Sequence, residues 1–274
     1  MITTVETRNI RGALLTLPVD DISQGLVLED IDGLHPVKAT IVSSSFANMD
    51  AEQYHSSRRT TRDVKLTLGL EPDYEINTVS DLRKGLYGYF MPKSPVNLKF
   101  TDSDGTVAHI DGYVESCEAP LWTEEPKMEV VVRCLDSDFV DMDETVVNGS
   151  TVSTVTNTPL VYDGSVETGF EFVMNVNRTL TAFSIYLTGS DGVDGFIDFA
   201  YNSLVAGDVL TISTIPGAKE VTLLHAGVES SILYAVSPQS NWLELKPGLN
   251  QLRVAATGAA IPFTINYTNK YGGL

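Results

Sequence analysis

The closing stretch PGLNQLRVAATGAAIPFTINYTNKYGGL, residues 247–274, reads as strand almost to its last residue. Working back from it, IPFTINYTNKY (261–271), WLELKPGLNQLRVAAT (242–257), SILYAVS (231–237) and EVTLLHAG (220–227) repeat the same character. So do DVLTIST (208–214), GFIDFAYN (195–202), AFSIYLTG (182–189) and ETGFEFVMNV (167–176). Strands recurring about every ten residues, with turn signals between, predict an antiparallel β-sandwich or jelly roll. KPGLN, Lys246 to Asn250, predicts a Pro-Gly turn of type II. No helical period occurs after about Val147. NGSTVSTVTNTP (148–159) is small and polar, so the interdomain crossing is placed at its start, giving domains 1–147 and 148–274.

The first domain is different in kind. ALLTLP (13–18), GLVLEDIDGL (25–34), VKATIVSSSF (37–46), VKLTLGL (64–70), VNLKF (96–100), TVAHIDGYVES (106–116) and KMEVVVRCL (127–135) predict strands. TDSDGT (101–106) predicts a hairpin turn with Asp-Gly at its tip. Among these strands stands one amphipathic helix, Thr78 to Phe90, with Val79, Leu82, Leu86 and Tyr89 on one face. Thr78 is its N-cap, with Asp81 three residues on as a weaker capping box, and Pro92 its stop. NMDAEQYHSSRRTTRD (48–63) has no apolar period and reads as a long polar loop, and CLDSDFVDMDET (134–145) as an acidic, irregular closing segment.

The chain's 274 residues sit near two domains, and its 43% hydrophobic share suffices for ordinary cores. Net charge is −18, with 13 basic and 26 acidic residues before Asn148 against 5 and 10 from there on. Such acidity opposes sequence-independent binding to nucleic acid, which needs Lys and Arg to displace counterions from phosphates. The two cysteines, Cys117 and Cys134, make no metal spacing; a single bridge and two buried thiols are both open, the thiols suiting a reducing cytoplasm. No charged segment followed by an apolar one opens the chain, and no apolar run of about 18 residues occurs, which predicts a soluble protein without an ordinary export signal.

Candidate chemistry is sparse. His35, His55, His109 and His225 are scattered without metal spacing. Asp102, Asp104 and Gly105 open like an EF-hand loop but lack its later ligands, so a hairpin turn accounts for them better. Asp191, Asp194 and Asp198 form a candidate calcium cluster, against the preferred reading of a Gly-Asp turn ahead of a strand. Trp242, Tyr186, Tyr201, Tyr234 and Tyr267 offer a sugar-stacking platform, against the commoner role of strand aromatics as core. No G-x-S-x-G elbow and no phosphate-cradling loop appear, and nothing singles out a catalytic carboxylate pair. The expectation is a non-enzymatic architectural or binding protein, with no cofactor and no metal. Arg58, Arg59 and Arg62 form the one basic cluster of an acidic domain and are the candidate subunit-interface residues, where guanidinium forks would meet carboxylates of a neighbour.

The segments SSRRTTRDVKLTLGL, SDLRKGLYGYF, SPVNLKFTDSDG, HIDGYVESCEAP and MEVVVRCLDSDFVD, in that order, resemble the N-terminal domain of the distal tail proteins of long, non-contractile-tailed bacteriophages. Gly112, Tyr113, Val114 and Glu115 match the family's "GyVes" strand, and Cys134, Asp136 and Phe139 its closing Cys-x-Asp-x-x-Phe segment. NWLELKPGLNQLRVAATG is similar to the family's turn at Gly248 and Asn250, and INYTNKYGGL to its final strand. The resemblance implies a mainly β protein: an N-terminal β-sandwich-like tail-hub domain with one helix, and a C-terminal galectin-like β-sandwich. It further implies a homo-oligomer, a hexameric ring at the virion's tail tip, made in the host bacterial cytoplasm. The ring would join the tail tube protein to the tail-tip or fibre protein and let genomic DNA pass its acidic lumen unbound. The alternative is a lectin-like module that recognises a host saccharide.

Overall fold

β-Strands dominate the computed structural model, which describes every residue except 10, 20, 22–24, 47–49 and 121–123. The chain divides into two compact units, Met1–Met142 with Tyr271–Leu274, and Asp143–Lys270.

The first unit contains β1 (Ile2–Arg8), β2 (Leu14–Pro18), β3 (Leu26–Asp32), β4 (Ala39–Ser45), β5 (Glu52–Arg59), β6 (Arg62–Leu70), α1 (Val79–Tyr87), β7 (Pro95–Asp102), β8 (Val107–Glu118) and β9 (Lys127–Cys134). β10 (Phe139–Ser150) then carries the chain into the second unit. Antiparallel pairing runs β3-β6-β9-β8-β7-β1-β2, and β10 begins beside the start of β8. The core is written in alternation. Val64, Leu66 and Leu68 of β6 stand opposite Val132, Val130 and Met128 of β9, and all six are fully buried. Leu98 and Phe100 of β7 face Ile110 and Ala108 of β8 in the same way. α1 packs beside β6 and buries Leu86, with Val79 and Leu82 half-buried at the core's edge.

The helix begins as expected. Thr78 accepts the Asp81 amide and the Asp81 carboxylate accepts the Thr78 amide, closing a full capping box. It ends earlier than expected, with Gly88 as C-cap, so Pro92 stops nothing. Of the polar stretch 48–63, positions 48 and 49 lie outside the described residues, and the rest is not a loop: it contains β5, paired with β4 through one bulge, and the start of β6. β5 left no apolar period because both faces of the β4–β5 hairpin are exposed, and a period is written only by a buried face. The acidic segment 134–145 holds the first half of β10, anchored by buried Phe139.

The second unit is a two-layer sandwich. One sheet runs through β17 (Val228–Ser231), β16 (Glu220–His225), β15 (Val209–Ser213), β12 (Glu171–Asn175) and β19 (Pro262–Tyr271). The other runs β11 (Thr158–Tyr162), β18 (Gly248–Ala255), β13 (Leu180–Thr188), β14 (Asp194–Leu204). Phe172 of the first and Phe183 of the second stack with ring centroids 5.9 Å apart, which places the core between the layers. Two expected strands are absent. SILYAVS forms a 3-10 turn at Leu233–Ala235, and WLELK joins no strand ladder beyond the isolated Thr168–Leu245 bridge, although Leu243 and Leu245 are buried in the core. Both cysteines are free thiols, which settles the open pairing; burial pushes Cys117 up to about 11 and Cys134 up to about 12.

Candidate subunit interface

Two chain properties set up this region: a Thr-Thr step that separates β5 from β6, and the alternation that then sends Arg62 inward with Val64, Leu66 and Leu68. Arg62 is only 1% exposed. Its Nε donates to the Ser137 carbonyl at 2.9 Å, its Nη1 to the His35 carbonyl at 2.8 Å and to that of Gly33, and its Nη2 to the Gly272 carbonyl at 2.5 Å. The guanidinium carbon lies 4.3 Å from the Phe139 ring centroid. Burial lowers the Arg62 pKa against the raising pull of Asp138, yet a guanidinium keeps its proton. Arg62 is therefore a clamp inside its own subunit that ties three other chain segments, Gly33–His35, Ser137–Phe139 and Gly272, to its own strand.

The three arginines do not form one exposed cluster. Arg59 donates to Asp138 at 2.8 Å within its own unit. Arg58, one residue earlier and on the other face of β5, is exposed. Both belong to the β4–β5 hairpin, whose root is tied by Thr60 N–H to the Lys38 carbonyl. Sequence reasoning missed that the hairpin's apolar residues stand in solvent: Ile41, Val42, Phe46 and Tyr54 are all at least half exposed. The signal was present in the facing run of serines and EQYHSSRR, two strands with no face to bury.

The remaining candidates scatter. Asp191 accepts the Val193 amide, Asp194 the Thr188 hydroxyl and Asp198 the Ser184 hydroxyl, so each serves its own turn or strand pair. No group of three metal-ligating side chains occurs among the described residues. Asp102 to Gly105 form the β7–β8 turn, with the Gly105 amide on the Asp102 carbonyl. His225 bonds buried Asp208 at 2.7 Å and His55 bonds Ser44 at 2.8 Å; His35 and His109 join neither. The aromatics do not make a platform. Tyr267 is buried, Trp242 packs against the core, Tyr186 lies under the Arg253 guanidinium, and only Tyr201 and Tyr234 are neighbours.

The motif residues have structural reasons. A Cβ at Gly112 would lie 2.6 Å from Val132 Cγ1 and 2.9 Å from the Arg133 carbonyl oxygen, so β8 and β9 close only around glycine. Gly248 has φ +95°, the conformation the Pro-Gly turn needs. Buried Asn250 completes that turn, accepting the Lys246 amide at 3.0 Å and donating to the carbonyls of Lys246 and Gly248.

Residues 163–271 match the model of the siphovirus-type tail component, C-terminal domain. No curated protein matches the chain by sequence. Among solved structures, the SPP1 Dit protein, described as a paradigm of the hub adsorption apparatus in phages infecting Gram-positive bacteria, superposes with a TM-score of 0.67 at 17% identity. That match covers 97% of this chain and 98% of the other. The phage P2 baseplate in its activated conformation with Ca gives a TM-score of 0.46 at 10% identity, over 97% and 98%. Residues 163–271 are thus similar to the siphovirus-type tail component, C-terminal domain, and the chain as a whole has the fold of a Dit protein.

Proposed function

We propose that this protein is a phage distal tail protein, a structural component of the baseplate hub that assembles into a ring at the tail tip. The observation that carries the reading is the family match of residues 163–271, set in a chain that shares the Dit fold over nearly its whole length. The role is architectural rather than catalytic: copies pack into a closed ring, which we take to be a hexamer, between the tail tube and the tip or fibre proteins. A heterologous contact that closes gives such a ring. A net charge of −18 suits a passage that DNA crosses without sticking, because carboxylates repel phosphates. Host-saccharide binding forms no part of the reading, since the strand aromatics do not converge.

Native mass measurement tests the ring. The protein, alone or co-expressed with the tail tube and tip proteins of its phage, is expected to give a cyclic oligomer. Antibody against it should decorate the tip of intact tails in electron micrographs. A monomer under every one of those conditions, or label confined to capsids, would overturn the reading.

A further inference from the structure

The β4–β5 hairpin is a two-stranded sheet of its own, with no third strand paired to it among the described residues. A two-stranded hairpin alone is marginal in water, and this one exposes Ile41, Val42, Phe46 and Tyr54. Its root is nevertheless fixed. Arg59 is tied to Asp138, Arg62 is clamped on four carbonyls, and the Leu274 amide donates to the Leu34 carbonyl at 3.0 Å just before the hairpin begins. A held root and a bare arm are the marks of a segment shaped for another surface.

The register says which face is offered. Ala39 pairs with Arg59, and Arg59 turns toward its own Asp138. Thr40 pairs with Arg58 and Val42 with Ser56, so Arg58, Thr40 and Val42 share the opposite face, within about 7 Å along the strand. Among the described residues Arg58 has no ion pair or hydrogen-bond partner, and it is exposed. This face is therefore a cation beside an apolar side chain, aimed away from its own subunit.

The same unit carries a groove of matching character. It has a volume of about 530 Å³ and lies over β1, β7 and β8. Arg8, Asn97 and Asp111 cross it in one row of paired residues, Asn97 donating to Asp111 at 2.8 Å. Tyr113 and Leu135 line it while 51% and 65% exposed, and Asp136 adds a second carboxylate. Exposed apolar surface beside two carboxylates is the complement of exposed Val42 beside Arg58.

We propose that the β4–β5 arm of one copy lies in this groove of the next copy, with Arg58 on Asp136 and Asp111, and Val42 over Tyr113 and Leu135. The proposal rests on the ring reading and names the contact that builds it. Arm and groove are different surfaces of one subunit, so the contact is heterologous and propagates around a ring.

Charge reversal and exchange test it, read as the concentration for half-assembly by sedimentation. Arg58→Asp and Asp136→Arg should each raise that concentration about tenfold or more, and the double variant should regain most of the loss. Both positions are exposed, so far-UV circular dichroism should match the parent. As an independent measurement, Thr40→Cys with Leu135→Cys should cross-link into a ladder of oligomers under oxidation, while either single variant should not. A parent that never assembles, even with its tail partners, overturns the ring itself. A parent that assembles while both reversals assemble equally well, or a ladder that fails to form, overturns only the arm-in-groove contact.

Discussion

Arg62 holds a full charge where almost no water reaches it, and four backbone carbonyls with the Phe139 face replace its hydration. A sequence reader counts it with Arg58 and Arg59 as surface charge; alternation with Val64 turns it inward instead. Replacing it removes the donor for several carbonyls at once. Arg62→Met should lower the stability of the first unit by about 2–4 kcal/mol in urea titration, whereas Arg58→Met should change it by less than about 0.5 kcal/mol. Equal effects at the two positions would refute the clamp. The thiols give a second residue-scale expectation. Burial raises Cys117 to about 11 and Cys134 to about 12 from 9.0, so the folded chain keeps protons that the unfolded chain gives up first. The stability this contributes is complete below about pH 9 and is lost as pH rises toward 11 and 12. In a Cys117→Ala, Cys134→Ala variant the alkaline fall in stability should be shallower by up to about 1.4 kcal/mol per pH unit for each thiol removed. Denaturation curves at several alkaline pH values decide it, and an unchanged slope would count against the burial argument.

At the scale of elements, α1 is nearly self-describing. Its cap, its acidic first turn and Leu86 are set within a few residues of one another, and the helix begins where the period placed it, though it ends at Tyr87. Leu86→Ala should cost about 2–5 kcal/mol, the range for emptying a buried leucine site, and Thr78→Ala about 1 kcal/mol through the cap. Thermal melts that ranked the cap above the leucine would mean the helix is held by its ends rather than by packing. β5 and β10 are the contrasting cases. β5 has no buried face and β10 buries only Phe139, so neither wrote a period. They are strands because a neighbouring strand pairs with them, and that pairing is invisible in their composition.

At the scale of the whole molecule, residues Tyr271–Leu274 belong to the first unit although β19 begins in the second. Gly272 accepts from Arg62, and the Leu274 amide reaches Leu34. Removing residues 272–274 should therefore destabilise the first unit by about 1–3 kcal/mol while leaving the sandwich's transition in place. A calorimetric trace that lost stability only in the sandwich would contradict the assignment. The local features were determined by sequence alone: the strand cadence after Val147, the Thr78 cap, the Gly248–Asn250 turn and the order of motifs that resembles the tail-hub family. The individual strands, the cap and the turn are each set by residues no more than about ten apart, where alternation, capping and turn chemistry act. Only the tertiary structure decided that Arg62 is buried, that Tyr267 is core and that Tyr113, Leu135 and Asp136 share a groove. Those facts depend on contacts between distant residues, 210 positions apart for Arg62 and Gly272, and no local pattern encodes which far segment will arrive to cover a side chain or leave it exposed.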